Sequence, residues 1–316
     1  MTSDKQSEGE SGKSDIVPTA GNFAGELIKA ASHNPSVKAA GAELGKAAHT
    51  IAKTINVALL PLAAVNFGYE KAREYFETRF SRDMEEKLSR VAEDQIISPK
   101  PSVVGYALQG LAFAHEEPTL REMYLHLLAS AMDRRSASSV HPAFAEVIRQ
   151  LSPEEAPVLC AKLTGEQPAP IVQLRLHYLP VGAGWRLLAN HLMEAIDPAT
   201  GQPAEIQNLT AMIDNWIRLG LVEVSYSQTV APDKYAWIES HPEHLRLKEL
   251  HGRPPASTPD VPSPPPPVVG VHKGTLTITA FGELFSKSVG MEEIQRGGSG
   301  GESRSDGSKW SDTFGR

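Results

Sequence analysis

The stretch from Pro118 to Glu155 constrains the fold of this chain more than any other. Leu120, Met123, Leu127, Leu128 and Ala131 recur at three- and four-residue spacing, which lines one face of a helix with apolar groups. Thr119 with Glu122 three residues on predicts a capping box at its start. Asp133-Arg134-Arg135 sets basic side chains at its end, where the helix dipole favours them. Pro142 suits the first turn of a second helix that turns Phe144, Val147, Ile148 and Leu151 inward. Ser152-Pro153-Glu154-Glu155 then caps a third, with Ser152 and Glu155 at the positions of a capping box. The block is a helical core, and it carries no reaction centre.

With 316 residues the chain is long enough for two modest domains. Aromatic residues make up 6% of it, while alanine and leucine are frequent, which suits helix bundles. The net charge of −7 gives no global attraction to nucleic acid or anionic lipid. The single cysteine, Cys160, excludes an intramolecular disulfide framework and any multi-cysteine metal site, so a cytosolic, reducing compartment is expected. The opening Met-Thr-Ser-Asp-Lys-Gln lacks the apolar segment of a secretory signal.

Residues 1–15 are polar and predict a disordered tail. A helical bundle is expected over 16–165. It opens with a short helix from Ile16 to Ala31, then a longer one from Ser36 whose inner face is Val37, Ala40, Leu44, Ala48, Ile51 and Ile55. Gly41, Gly45 and Ala48 form a small-residue strip that predicts close packing against a neighbouring helix. Between Lys53 and Glu70 there is no charge, yet the run is too short for a membrane span and contains Pro61, so a buried helical corner is expected. From Tyr69 to Val91 the pattern is strongly amphipathic, with Ala72, Phe76, Phe80, Met84 and Leu88 inward. Pro99-Lys100-Pro101 stops it, and a helix from Ser102 to Ala114 follows.

Over 166–290 the texture changes to α+β. Strands are expected at Ile171–Leu179, Leu221–Tyr226, Lys234–Glu239 and Gly274–Thr279. Helices are expected at Trp185–Ile196, Ala204–Leu219, His241–Leu250 and Ala280–Val289, and Asp197–Gly201 reads as a turn. A proline-rich insertion occupies 252–270, and a disordered Gly/Ser tail is expected over 291–316. Helix, helix, Arg218-Leu-Gly-Leu-Val, strand, and a later strand ending in Leu276-Thr-Ile-Thr-Ala-Phe-Gly282 have the order of a winged-helix module. The predicted fold class is therefore mainly α, an N-terminal helical bundle followed by a small winged-helix-like α+β domain.

Several segments together resemble the bacterial Abi-alpha (abortive infection alpha) family, once a domain of unknown function. They are Pro61 with Gly68-Tyr-Glu-Lys71, Pro99-x-Pro101, Glu117-Pro-x-Leu-Arg-Glu-Met through Ala131-Met-Asp133, and Val140-His-Pro-Ala-Phe through Ser152-Pro-x-Glu-Ala156. Arg218-Leu-Gly-Leu and Leu276-Thr-x-Thr-Ala-Phe-Gly282 complete the likeness, which covers roughly Ala20 to Val289. The resemblance implies a role in phage defence and no known reaction or catalytic residue.

Individual candidates yield no catalytic, cofactor or metal residue. His141 beside Glu146 has the residue types for acid–base work, but a His-Pro at a helix start is more often structural. His126 sits on a helix face. His241, Glu243, His244 and His251 lack the His-Glu-x-x-His arrangement of a zinc hydrolase. Cys160 lies among Val158, Leu159 and Leu163 and predicts a buried, inert thiol. Gly182-Ala-Gly184 is not followed by the Lys-Ser/Thr of a phosphate loop. In a winged-helix reading Ala204–Leu219 would enter a DNA groove, yet its charges are Glu205, Asp214 and Arg218, so DNA is not an expected partner. The expectation is a non-enzymatic phage-defence effector or sensor, cytoplasmic, acting through a protein partner, a phage component, a second copy of itself, or the inner-membrane surface through Thr54–Tyr69. The rival readings are a winged-helix DNA-binding regulator and a hydrolase built on His141 and Glu146.

Overall fold

The computed structural model describes residues 38–60, 66–179, 182, 184–197, 199–252 and 266–300. The helix expected at Ile16–Ala31, the start at Ser36, Pro61, Leu62, most of the proline-rich insertion and the tail beyond 300 lie outside the described residues.

The first helix, α1, spans Lys38–Leu59 and packs on α4, Pro101–Ala114. Its inner face is Ala48, Ile51, Ile55 and Leu59, all nearly excluded from water. A Cβ added at Gly45 would meet nothing within 4 Å among the described residues, so the small-residue strip is not a close helix contact there. The amphipathic run expected from Tyr69 to Val91 is two helices, α2 at Asn66–Thr78 and α3 at Phe80–Leu88, divided at Arg79. Both keep the predicted face: Ala72, Phe76, Phe80, Met84 and Leu88 are buried. Phe76 meets Phe80 edge-on at 5.2 Å between ring centroids.

Pro101 takes the first turn of α4, and Pro118 that of α5, Pro118–Met132. Glu117 is the N-cap of α5, so the capping box expected at Thr119 does not form. Glu122 pairs instead with the buried Lys87 of α3 at 2.7 Å. Burial pulls the Lys87 ammonium down, but Glu122 and Glu86 outweigh it and hold it above its ordinary value. Beyond α5, Arg135 grips Asp133 through Nε at 3.0 Å and Nη2 at 2.7 Å. Next come α6, Ala143–Arg149, and α7, Glu155–Leu163. Phe144, Val147, Ile148 and Leu151 face inward as expected. The box before α7 does form: Glu155 N donates to Ser152 Oγ at 3.1 Å, and Ser152 N donates to Glu155 Oε2 at 3.2 Å.

Four antiparallel strands then make one sheet in the order β2–β1–β4–β3. They are β1 (Ala169–His177), β2 (Trp185–Leu192), β3 (Val222–Ser225) and β4 (Val268–Ile278). The helix expected over Trp185–Ile196 is strand β2, hairpin-paired to β1 from His177↔Trp185 to Val172↔Leu192. Helix α8 is shorter than expected, Leu209–Arg218, and ends at Gly220, whose φ of +73° only glycine adopts without strain. The strand expected at Lys234–Glu239 lies within a 3-10 helix, Pro232–Ser240, which leads into α9, Pro242–His251. Val172, Leu174 and Leu192 pack under that pair against Tyr235, Ile238 and Leu247.

After β4, Thr279 caps α10, Ala280–Ser288, by accepting from Gly282 N at 2.9 Å. Where a Gly/Ser tail is expected from residue 291, the chain continues as helix α11, Met291–Gly300. Phe285 meets Phe144 at 5.5 Å, and Ser130 Oγ donates to Ser288 O at 2.9 Å, so α10 returns to the bundle. The main apolar core therefore runs without interruption from Ala47 to Met291. The fold is mainly helical, with one small antiparallel sheet. Of the helix–helix–strand order read from the sequence, the first helix is a strand.

Candidate functional site

The His141–Glu146 pair does not converge. Glu146 is held by Arg149 Nε at 2.7 Å and by Gln150 Nε2 at 2.9 Å, and Arg149 keeps its carboxyl below the ordinary range. Nδ1 of His141 accepts from Ala143 N at 3.1 Å, and its ring lies against Phe144 and Phe281. His126 packs beneath Gly290, where an added Cβ would fall 2.5 Å from the ring. Burial and the nearby Lys87 push the His126 imidazole down. His244 is buried, with Nδ1 bonded to Ile238 O at 2.7 Å, and among the described residues no group of His, Cys, Asp and Glu could hold a metal. Cys160 is buried, and burial pushes its thiol up to about 12, so it stays protonated and inert.

A titratable chain does assemble where no motif announces one. Asp214 of α8 places Oδ1 3.3 Å from Nε2 of His191, and Nδ1 of His191 lies 3.0 Å from the Tyr226 hydroxyl. His191 sits at φ +55°, a left-handed conformation held on β2 beside the register shift between Val172 and Leu174. The Tyr226 ring stacks on His191 at 6.0 Å and on His272 at 5.8 Å. Gly274 makes room for it: a Cβ there would fall 2.5 Å from the Tyr226 ring. Burial lowers the His191 imidazole against the pull of Asp214, and burial raises the Tyr226 hydroxyl. A neutral imidazole between a carboxylate and a protonated phenol can relay a proton. Here it also fastens α8 to the sheet, together with Thr210 Oγ1, which donates to Asn190 O at 2.7 Å.

Arg218, the one cation of α8, is committed to Gln150 Oε1 at 2.8 Å and to Asn215 Oδ1 at 2.6 Å. The helix thus faces the bundle as a packing element.

The charge-free run divides between two helices. Ile55, Ala58 and Leu59 are buried in α1, as a corner segment requires. Val57 and Leu60 are each 62% exposed, which corrects the expectation that the run is wholly buried at rest. On α4, the helix that packs against α1, Tyr106 and Phe113 are also exposed, one heptad apart on one face. Lys53 is exposed one turn before Val57. Among the described residues no helix is long and apolar enough to cross a membrane. The end of α1 thus exposes two apolar side chains with one exposed cation, Lys53, a turn away.

The model of the abortive infection alpha family matches residues 72–289. No curated protein and no solved structure matches the chain.

Proposed function

The chain belongs to the abortive infection alpha family, and we propose that it acts in phage defence as an effector or sensor that works on a membrane surface rather than through a reaction. The match over more than half of the chain carries the first part of this reading. The exposed Val57 and Leu60, with Lys53 beside them, support the second. In this reading the bundle has a closed form, and a form in which the end of α1 and the start of α2 lie in the lipid interface. The C-terminal part is winged-helix-like from α8 through β3 and β4 to α10, with α8 serving contacts inside the protein.

The test is expression in a phage-sensitive host, with plating efficiency and cell survival scored together. Lower plating with loss of infected cells, abolished in the double variant Val57→Glu, Leu60→Glu, is the expected result. Plating unchanged by the parent protein removes the defence reading. Full protection by the folded double variant removes the membrane part.

A further inference from the structure

A cleft of about 380 Å³ opens between α2 and the corner joining α4 to α5. That volume lies in the range of small-molecule sites, roughly 300–1,000 Å³. Arg79, Arg121, Tyr75 and His115 are among the residues that line it. The two rings lie 5.4 Å apart, tilted by 34°.

The polar groups here are pre-set and incompletely used. Nη1 of Arg121 donates to His115 O at 2.8 Å, which fixes the guanidinium, while its Nε is buried and meets no partner among the described residues. The Arg79 guanidinium has no hydrogen-bond or ion-pair partner among the described residues. His115 Nδ1 must donate to Ala112 O at 3.0 Å, because a carbonyl only accepts, and this leaves Nε2 free of that bond. Tyr75 is 3% exposed and gives its hydroxyl to Asp83 Oδ2 at 3.2 Å, so it backs the cleft, and the half-buried His115 is the ring left for a ligand.

The charges favour an anion. Lys71 and Glu116, both lining the cleft, neutralise each other at 2.6 Å. What remains inside is two guanidinium groups against the single carboxylate of Glu74. Guanidinium forks match phosphate and carboxylate oxygens, and the His115 ring suits a flat or ring-bearing remainder. We propose that this cleft binds a small organic phosphate monoester, with Arg79 and Arg121 on the phosphate and the His115 ring, backed by Tyr75, against the rest of the molecule.

This does not rest on the phage-defence reading and is tested without infection. The full chain is titrated with AMP, inorganic phosphate and adenosine, and binding is read by calorimetry and by the thermal midpoint. AMP and phosphate both bind, AMP at the lower concentration, and adenosine does not. Arg79→Ala weakens AMP by about tenfold, the loss of a charge-assisted contact, and leaves the ligand-free midpoint unchanged. Arg79→Lys recovers part of the affinity. Absence of binding by both AMP and phosphate at millimolar concentration overturns the proposal. So does adenosine binding as tightly as AMP, or AMP affinity untouched in Arg79→Ala.

Discussion

Asn215 of α8 donates its side-chain amide to both carboxylate oxygens of Glu155, at 2.9 and 3.2 Å. Glu155 is 5% exposed and also closes the cap on Ser152, so one carboxylate terminates a bundle helix and receives the helix that follows the β1–β2 hairpin. A buried carboxylate is costly without partners, and here the partners come from both halves of the chain.

Removing the amide leaves that carboxylate short of a donor. Asn215→Ala should cost about 1.5–3 kcal/mol, the range for a hydrogen bond to a charged group. In urea unfolding, Asn215→Ala combined with Glu155→Gln should cost less than the two changes summed. Strict additivity would show that the contact is not formed in solution.

Phe144 is fully buried between Phe281 and Phe285, while Ser152 acts only through its cap. Phe144→Ala should cost about 3–5 kcal/mol through the cavity it leaves. Ser152→Ala should cost about 1 kcal/mol through the unsatisfied first turn. Equal midpoints for the two variants in urea would contradict this packing.

Much of the helical part was legible because its signals are local. Phe144, Val147 and Ile148 mark their own face, and Ser152 and Glu155 satisfy each other across one turn. Local patterns mislead where distant residues decide. Leu188, Leu192 and Ile196 recur every four residues as in a helix, but pairing with β1 and the irregular register at Val172 and Leu174 make Trp185–Leu192 a strand. Thr119 has no box because the helix already starts at Pro118 with Glu117 as its N-cap, and Glu122 pairs with Lys87 of another helix. The Asp214–His191–Tyr226 chain draws on a helix, a strand and the end of another strand, so no spacing in the sequence encodes it.

Stability should fall as the pH drops below neutrality. Burial is the leading cause that lowers the imidazoles of His126, His191 and His241 in the folded protein. Unfolded histidine titrates at about 6.5, so below that value the unfolded chain takes up protons that the folded one refuses. The contribution is complete above the unfolded value, declines as pH falls through it, and levels off below the folded values. Urea midpoints measured from pH 8 downward should show this loss, and His191→Gln should make it shallower. A midpoint that stays flat across that window would rule it out.

Duplex DNA should bind only weakly at physiological salt. Phosphate contact needs several free cations, and Arg218 of α8 is already spent on Gln150 and Asn215 while Asp214 faces His191. Fluorescence anisotropy with a labelled duplex should give no nanomolar complex. A tight complex that weakens steeply with salt would restore the regulator reading.

The surface at the end of α1 gives the most direct test of mechanism. Val57 and Leu60 are each 62% exposed, whereas Leu59 between them is 4% exposed and belongs to the core. Glutamate at the two exposed positions should change stability by no more than about 0.5 kcal/mol, so circular dichroism and urea midpoints should match the parent. Leu59→Glu would bury a charge and is the wrong probe. Burying apolar side chains in the lipid interface drives binding, and a flanking cation adds attraction to anionic headgroups. The parent should therefore co-float with phosphatidylglycerol vesicles more than with phosphatidylcholine vesicles, and the excess should shrink as salt screens Lys53. The Val57→Glu, Leu60→Glu variant should remain in the soluble fraction with both. If parent and folded variant float alike, or if the parent floats with neither lipid, the exposed residues are no membrane contact, and the protein reaches its target by another surface.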